Sequence, residues 1–285
     1  MRVGVVSVLS TIVLLLVAVR PAVAQVDLSG QWQGNFFEDQ PERAAGPEIG
    51  DYTGLPITAA ARMRAEAWDA SLLTLPEHQC KPHPSTYGAW GPNAMRILYD
   101  YEPDTQALRA IHIDIQILEQ YRTVWMDGRP HPPNYAAHTW QGFSTGHFEG
   151  DVLVVETSHI KAGWLRRNGI MHSDQATMVE RYVRHGAVLT RISVVTDPQY
   201  LTEPFIRTIN WTFNPRQVFQ PYPCLDVEEI AGRAPGYVPH HLPGQNDQLE
   251  EYRRRHQIPE VASRGGAETM YPEFAARLRA AQAAR

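Results

Sequence analysis

Apolar and polar positions alternate with a period of two along much of this chain. Residues 111–117 are the clearest case. Ile111, Ile113, Ile115 and Ile117 fall on one side, and His112, Asp114 and Gln116 on the other. Strict alternation of this kind marks a half-buried strand with the isoleucines on the packed face. Tyr121 to Met126 reads as the next strand, ending at the turn Asp127-Gly128. Phe143 to Phe148 reaches the turn Glu149-Gly150-Asp151, and Val152 to Glu156 leads away from it. Glycine between acidic residues, flanked by β-prone runs, is hairpin chemistry. Ala176 to Arg184 and Val188 to Thr196 form another pair about His185-Gly186, and Phe205 to Phe213 follows Pro204. With a short strand at Asp27 to Phe37, which carries Trp32, at least eight strands are predicted. Short strands joined by turns imply a mainly β fold, an antiparallel meander closing as a barrel or stacking as a sandwich.

Helical pattern is sparse. Thr58 can cap a helix running to Ala70, because Ala59-Ala60-Ala61-Arg62-Met63 are strong helix formers. Leu75 to Pro92 is Pro-rich and irregular. Beyond Gln220 the pattern changes, with Pro221, Pro223, Pro235, Pro239 and Pro243 in a short span. Helices over Asp247–His256 and Pro272–Ala284 are predicted within it. The expected organisation is a signal peptide over 1–24, a barrel-like domain over 25–220, and an irregular C-terminal arm over 221–285 packed on the barrel.

The N-terminus supports the first of these. Arg2, the apolar run Val3 to Val19 and Ala22-Val23-Ala24 have the charged start, apolar core and small-x-small end of an export signal. Arg20 and Pro21 interrupt the run, which is short for a membrane span of ~17–25 residues. A periplasmic or secreted protein with no integral membrane span after cleavage is expected. Cleavage after Ala24 takes Arg2 and Arg20 from 26 basic residues and leaves 24 against 31 acidic, a net charge of −7. That balance argues against a nucleic-acid partner. In an oxidising compartment the two cysteines, Cys80 and Cys224, are expected to pair as a disulfide.

Candidate chemistry rests on histidine. His112 and Asp114 lie two apart on a strand, so both leave the same face, as a general base and its carboxylate would. Arg122, on the next strand, is a candidate clamp for a ligand carboxylate or enolate; its alternative is pairing with Glu119 or Asp127 at the surface. His138 and His147 flank the aromatic segment Trp140 to Phe143, and at least two of His112, His138 and His147 are expected to border one pocket. His131, between Pro130 and Pro132, sits in a stiff loop. His138 and His147 with His112 or His159 could form a three-His metal site, but no His-Glu-x-x-His or paired-Cys ligand set appears, so spacing gives a metal ion no support and no cofactor is expected. Gly142-Phe143-Ser144-Thr145-Gly146 is not a Gly-x-Ser-x-Gly elbow, which rules out that form of serine chemistry. Trp90, Trp125, Trp140, Trp164 and Trp211 serve either as core or as walls of a pocket for a ring-bearing ligand.

The segments 122–132 (RTVWMDGRPHP), 146–157 (GHFEGDVLVVET) and 164–169 (WLRRNG), with 196–205 (TDPQYLTEPF) and 265–272 (GGAETMYP), together resemble a large group of exported bacterial proteins of unassigned function. The resemblance covers most of the chain after residue 24. It implies a secreted or periplasmic β-rich protein. That group usually has Trp where this chain has Phe148. Gly30-Gln31-Trp32 is similar to the Gly-x-Trp of the first lipocalin strand, and Thr196-Asp197 near Tyr200 faintly to the second lipocalin motif, which implies a lipocalin-like barrel. The function expected from all of this is binding of a small apolar or aromatic molecule, with histidine acid–base chemistry of lyase, isomerase or hydrolase type. The alternatives are a non-catalytic carrier with the same cavity, or a structural envelope protein with none.

Overall fold

The alternating segments become nine strands that close on themselves. The computed structural model describes residues 26–35, 48–75, 78–90, 94–220 and 232–283. The signal peptide expected over 1–24 and Cys224, one half of the expected disulfide, lie outside them. The barrel strands are β1 (Gly30–Gly34), β2 (Ala94–Tyr101), β3 (Leu108–Ile115), β4 (Gln120–Trp125), β5 (Phe143–Glu149) and β6 (Val152–Ser158), followed by β9 (Thr177–His185), β10 (Val188–Thr196) and β11 (Phe205–Phe213). A two-stranded flap, β7 (Gly163–Trp164) with β8 (Met171–His172), interrupts the series. Barrel order is β1-β11-β10-β9-β6-β5-β4-β3-β2, and β1 closes it by pairing with both β2 and β11. Closure leaves no unpaired sheet edge running the length of the fold.

The closing strand is tightly fitted. Gly30 has φ +122°, and a Cβ there would lie 2.6 Å from the Phe213 ring. Trp32 fills the space beside it, edge-on to Phe213 at 5.2 Å, with its indole N–H donating to the Leu28 carbonyl at 3.0 Å. Ile111, Ile113 and Ile115 face inward, as their alternation predicts, together with Met95, Ile97, Val124, Leu153, Leu189, Ile209 and Trp211. Side chains of this size contribute ~1.5–3 kcal/mol each when fully buried. Strand β3 stops at Ile115, two residues before the alternation ends. Gln116 turns into helical backbone and Leu118 has φ +53°, so Ile117 packs against the core from a 3₁₀ turn.

The meander has one departure. Every neighbouring pair in the barrel is antiparallel except β4 and β5, which are parallel and paired only at Val124–Ser144 and Trp125–Thr145. Parallel neighbours need a crossover of a dozen or more residues. Residues 126–142 supply it, and Pro130, Pro132 and Pro133 remove the N–H groups that a direct hairpin return would use.

A second apolar core lies at one end of the barrel. Met178 and Val195 meet Ile160, Leu165, Ile170 and Leu201 there, together with Tyr52, Ile57, Ala61 and Ala65 from the segment before β2. Helix α1 (Ala59–Glu66) starts where Thr58 Oγ accepts the Ala61 N–H, and ends four residues short of Ala70. The C-terminal helices α2 (Leu249–His256), α3 (Glu260–Ser263) and α4 (Pro272–Ala283) follow. They dock on this layer: Tyr52 N–H donates to Ser263 O at 2.9 Å, Asn246 Nδ2 to Glu66 O at 2.8 Å, and Leu249 enters the second core. No helix among the described residues is long and apolar enough to cross a membrane.

Candidate functional site

Because β4 and β5 pair at only two positions, they part toward the start of β4, and a cleft of about 430 Å³ opens between Gln120–Thr123 and Thr139–Ser144. Tyr121, Trp125, Trp140 and Phe143 give it aromatic walls, and Gln120, Arg122, Gln141 and Ser144 give it polar groups. Gly142, with φ +72°, shapes the far wall: a Cβ there would lie 2.6 Å from the Ser158 carbonyl. The ammonium groups of Lys81 and Lys161 lie 5.2 and 5.1 Å from the Trp140 ring centre, within cation–π range. Ligand sites are typically clefts of ~300–1,000 Å³ with aromatic lining and a few placed polar groups, and this cleft has that make-up.

Behind the cleft lies a buried ion cluster. Arg122 holds Glu180 with two hydrogen bonds, Nη1 to Oε2 at 2.7 Å and Nη2 to Oε1 at 3.1 Å. It also donates to the Tyr182 hydroxyl at 3.0 Å, which in turn donates to Glu180 at 2.9 Å. Arg191 Nε completes the set at 2.5 Å from Glu180 Oε1, while its Nη2 donates to the Ser85 carbonyl at 3.0 Å. Burial alone would raise the Glu180 pKa, but the guanidinium groups of Arg122 and Arg191 hold it down at about 2. Burial, and then the Glu180 charge, pushes the Tyr182 phenol up to about 12. Arg122 is therefore neither a free ligand clamp nor a surface partner of Glu119 or Asp127. Its parity on β4 puts it inside the barrel, where Glu180 takes its hydrogen bonds.

The other four predicted residues lie outside the barrel wall and are spread across it. His112 and Asp114 share a face as expected, but each turns to a different partner. His112 approaches Thr123 Oγ1 at 3.2 Å and Asp100 at 3.6 Å and stacks on Tyr121, while Asp114 pairs with Arg96 at 2.6 Å. Asp114 also borders a second cavity of about 370 Å³, covered by Phe219 and Gln220. His147 is exposed beside Glu149 at 3.3 Å. His138 lies against the His159 ring, 5.2 Å between centres. The three histidines expected to border one pocket thus occupy three different surroundings, and neither the cleft nor the second cavity is lined by any of them.

A different set of hydroxyls and imidazoles is connected. His159 Nε2 lies 3.0 Å from the Pro133 carbonyl, which only accepts, so Nε2 carries a proton, and in a neutral ring Nδ1, 2.7 Å from Ser158 Oγ, is the acceptor. Ser158 then accepts from His131 Nδ1 at 2.7 Å, and His131 Nε2 accepts from Thr145 Oγ1 at 2.9 Å. With both rings neutral, every proton in the chain Thr145–His131–Ser158–His159–Pro133 has one direction. His159 sits at φ +56°, a strained position for a residue with a side chain. Desolvation lowers the His131 pKa, opposed by Glu156. The His131 ring meets Phe143 edge-on at 5.3 Å, and Phe143 lines the cleft, so the chain runs one side chain away from it.

Glu180, Arg191, Gln120, Gln141 and Ser158 are absent from the sequence-derived candidates. A signal for two of them existed: Glu180 lies in phase with Met178 and Tyr182, and Arg191 in phase with Leu189 and Val195, so each is a charge on the apolar side of a strand. Ser158 had no such mark, because its two imidazole partners come together only through the crossover. Among the described residues no three His, Cys, Asp or Glu side chains gather as metal ligands. No protein family, curated protein or solved structure matches the chain.

Proposed function

We propose that this protein is a small-molecule-binding barrel, and that its ligand is a planar aromatic compound held in the cleft beside β4. The observation that carries this reading is the opened β4–β5 seam, with four aromatic side chains around a cleft of about 430 Å³ and polar groups at its base. The barrel interior is filled by Trp32, Trp211, the isoleucines and the ion cluster, so the ligand enters from the side at the seam. Tyr121 and Trp140 stack on the ring while Gln120 and Gln141 take its polar substituent. The reading includes export, on the strength of residues 1–24 and the resemblance to exported proteins, and a Cys80–Cys224 disulfide. N-terminal sequencing and non-reduced peptide mapping of the mature protein test those two parts. Binding is tested by tryptophan fluorescence against a panel of phenols, aromatic acids and aliphatic acids. Aromatic members should quench, and Trp140→Ala should weaken the best of them at least ~10-fold, which is ~1.4 kcal/mol. Equal affinity in Trp140→Ala and Tyr121→Ala would move the ligand out of this cleft.

A second reading, catalysis on the bound molecule, is favoured by the directed Thr145–His131–Ser158–His159 chain. With His159 neutral, Ser158 donates its hydroxyl proton to a ring nitrogen whose orientation Pro133 fixes, which is how a general base raises the nucleophilicity of a hydroxyl. A fluorophosphonate probe tests it. Labelling at Ser158 that disappears in His159→Gln supports hydrolase-type chemistry, and an unlabelled Ser158 leaves the carrier.

A further inference from the structure

We propose that the barrel holds a monovalent, single-atom anion of chloride size beside Arg191. The argument begins with charge. Arg122 is 5% exposed, Arg191 1% and Glu180 0%, so two guanidinium groups and one carboxylate share a buried layer. Guanidinium stays protonated at any pH the fold survives. The Tyr182 phenol, pushed up to about 12 mainly by burial, is neutral there and supplies no charge. The cluster therefore carries one uncompensated positive charge. The other buried carboxylates are committed elsewhere, Asp114 to Arg96 on the outer face and Asp197 to the Ser173 N–H and hydroxyl. An unpaired buried charge costs several kcal/mol unless a counter-charge reaches it.

Geometry says where the counter-charge goes. Arg191 uses Nε on Glu180 and Nη2 on the Ser85 carbonyl, but its Nη1 is buried without a hydrogen-bond partner. The Ser85 hydroxyl is likewise buried without one. Both residues line a cavity of about 20 Å³, together with Arg122, Tyr182, Gln120 and Gln141. That volume takes one water-sized occupant and excludes sulfate, phosphate or a carboxylate-bearing molecule. A water would satisfy the two orphan groups but leave the charge uncompensated. A halide accepts from Nη1 and from the Ser85 hydroxyl and neutralises the cluster as well. Gln120, Arg122 and Gln141 also line the cleft, so the ion has an entry path from the seam. The anion site stands on the buried cluster alone and does not depend on the cleft taking an aromatic ligand.

The full-length mature protein tests this with bromide as the probe. Crystals grown with bromide should show an anomalous bromine peak in contact with Arg191 Nη1 and Ser85 Oγ. In solution, exchanging gluconate, too bulky for the cavity, for chloride or bromide at constant ionic strength should raise Tm by roughly 3 °C or more. Ser85→Ala removes one donor and keeps both guanidinium groups, so it should fold and lose at least half of that halide response. A site filled by water alone, with a Tm indifferent to the anion, overturns the proposal. So does a bromine peak without any Tm response, which would mean binding at crystal concentration only. An undiminished halide response in Ser85→Ala places the ion elsewhere and overturns it too.

Discussion

Inside the barrel, Arg122 is clamped by Glu180 and Tyr182 within a buried layer. One residue away on the same strand, Tyr121 is exposed and stacks on His112, whose neighbours Asp100 and Asp114 pair with Arg109 and Arg96. The two faces of β3 and β4 use similar chemistry, guanidinium with carboxylate, under opposite conditions. On the inner face every hydrogen bond replaces hydration that burial removed, and a missing partner leaves an orphan charge. On the outer face Arg109 and Asp100 keep access to water, so their contact is worth little, while Asp114 is itself buried behind Arg96. The strand pleat is why His112, Asp114 and Arg122 do not converge on one site: it puts the wall of the barrel between Arg122 and the other two.

The largest expected effect breaks the inner face. Glu180→Gln leaves Arg122 and Arg191 facing a neutral amide and should cost ~3–5 kcal/mol, the range for removing one partner of a buried pair. Asp100→Asn, its counterpart outside, should cost far less, because Arg109 beside it is half-exposed and can turn to solvent. Urea melts of the two variants measure the difference between the faces. Equal losses would mean that the outer face is as closed as the inner one. Ile113→Ala, also inward, should cost ~2–5 kcal/mol through the cavity it leaves in the core.

Legibility followed the same division. The Ile111–Ile115 alternation marks the packed face correctly, and Glu149-Gly150-Asp151 and His185-Gly186 sit at the β5–β6 and β9–β10 turns because local chemistry determines local geometry. Cross-barrel partners are not local. Arg122 and Glu180 are 58 residues apart and meet only because the barrel closes, so nothing near Arg122 in the chain announces its partner. The parallel β4–β5 pair was hidden for a similar reason. Asp127-Gly128 reads as a hairpin turn, whereas the prolines that follow carry the chain into a crossover. Through it came both the cleft and the Ser158 relay, the features furthest from the alternation pattern. His147 was misleading in the other sense: its hairpin is where the turn chemistry places it, but its side chain faces water beside Glu149.

Acid titration sharpens the comparison at lower cost. His83 is half-buried, with its pKa lowered to about 4 by desolvation and then by the Arg167 charge, against 6.5 for the free group. Its neutral form contributes stability above pH 6.5 that is lost as pH falls toward 4. Glu180, held at about 2 against an ordinary 4.5, contributes stability above pH 4.5 that is lost as pH falls toward 2. Chemical denaturation across this range should show two windows of loss. His83→Gln should shrink the upper window, to which buried His172 also contributes, and Glu180→Gln the lower one. A single window insensitive to either replacement would detach both groups from the acid response.

The smallest expected effect is at His112, the residue that alternation made the leading catalytic candidate. Its ring touches Thr123, Tyr121 and Asp100, all on the outer surface, and Asp100 keeps its shorter 2.7 Å bond to Arg109 when the imidazole is removed. No buried polar group loses its only partner. His112→Ala should therefore cost ~0.5–1 kcal/mol, mainly the stacking on Tyr121. It should also add to Glu180→Gln within ~0.5 kcal/mol, since the two sites share no partner and lie on opposite sides of the wall. Melts of the two single variants and the double variant complete the cycle. A coupling well above that value would mean that the faces communicate through β3 and β4, and that the barrel wall does not insulate the outer histidine from the buried ion cluster.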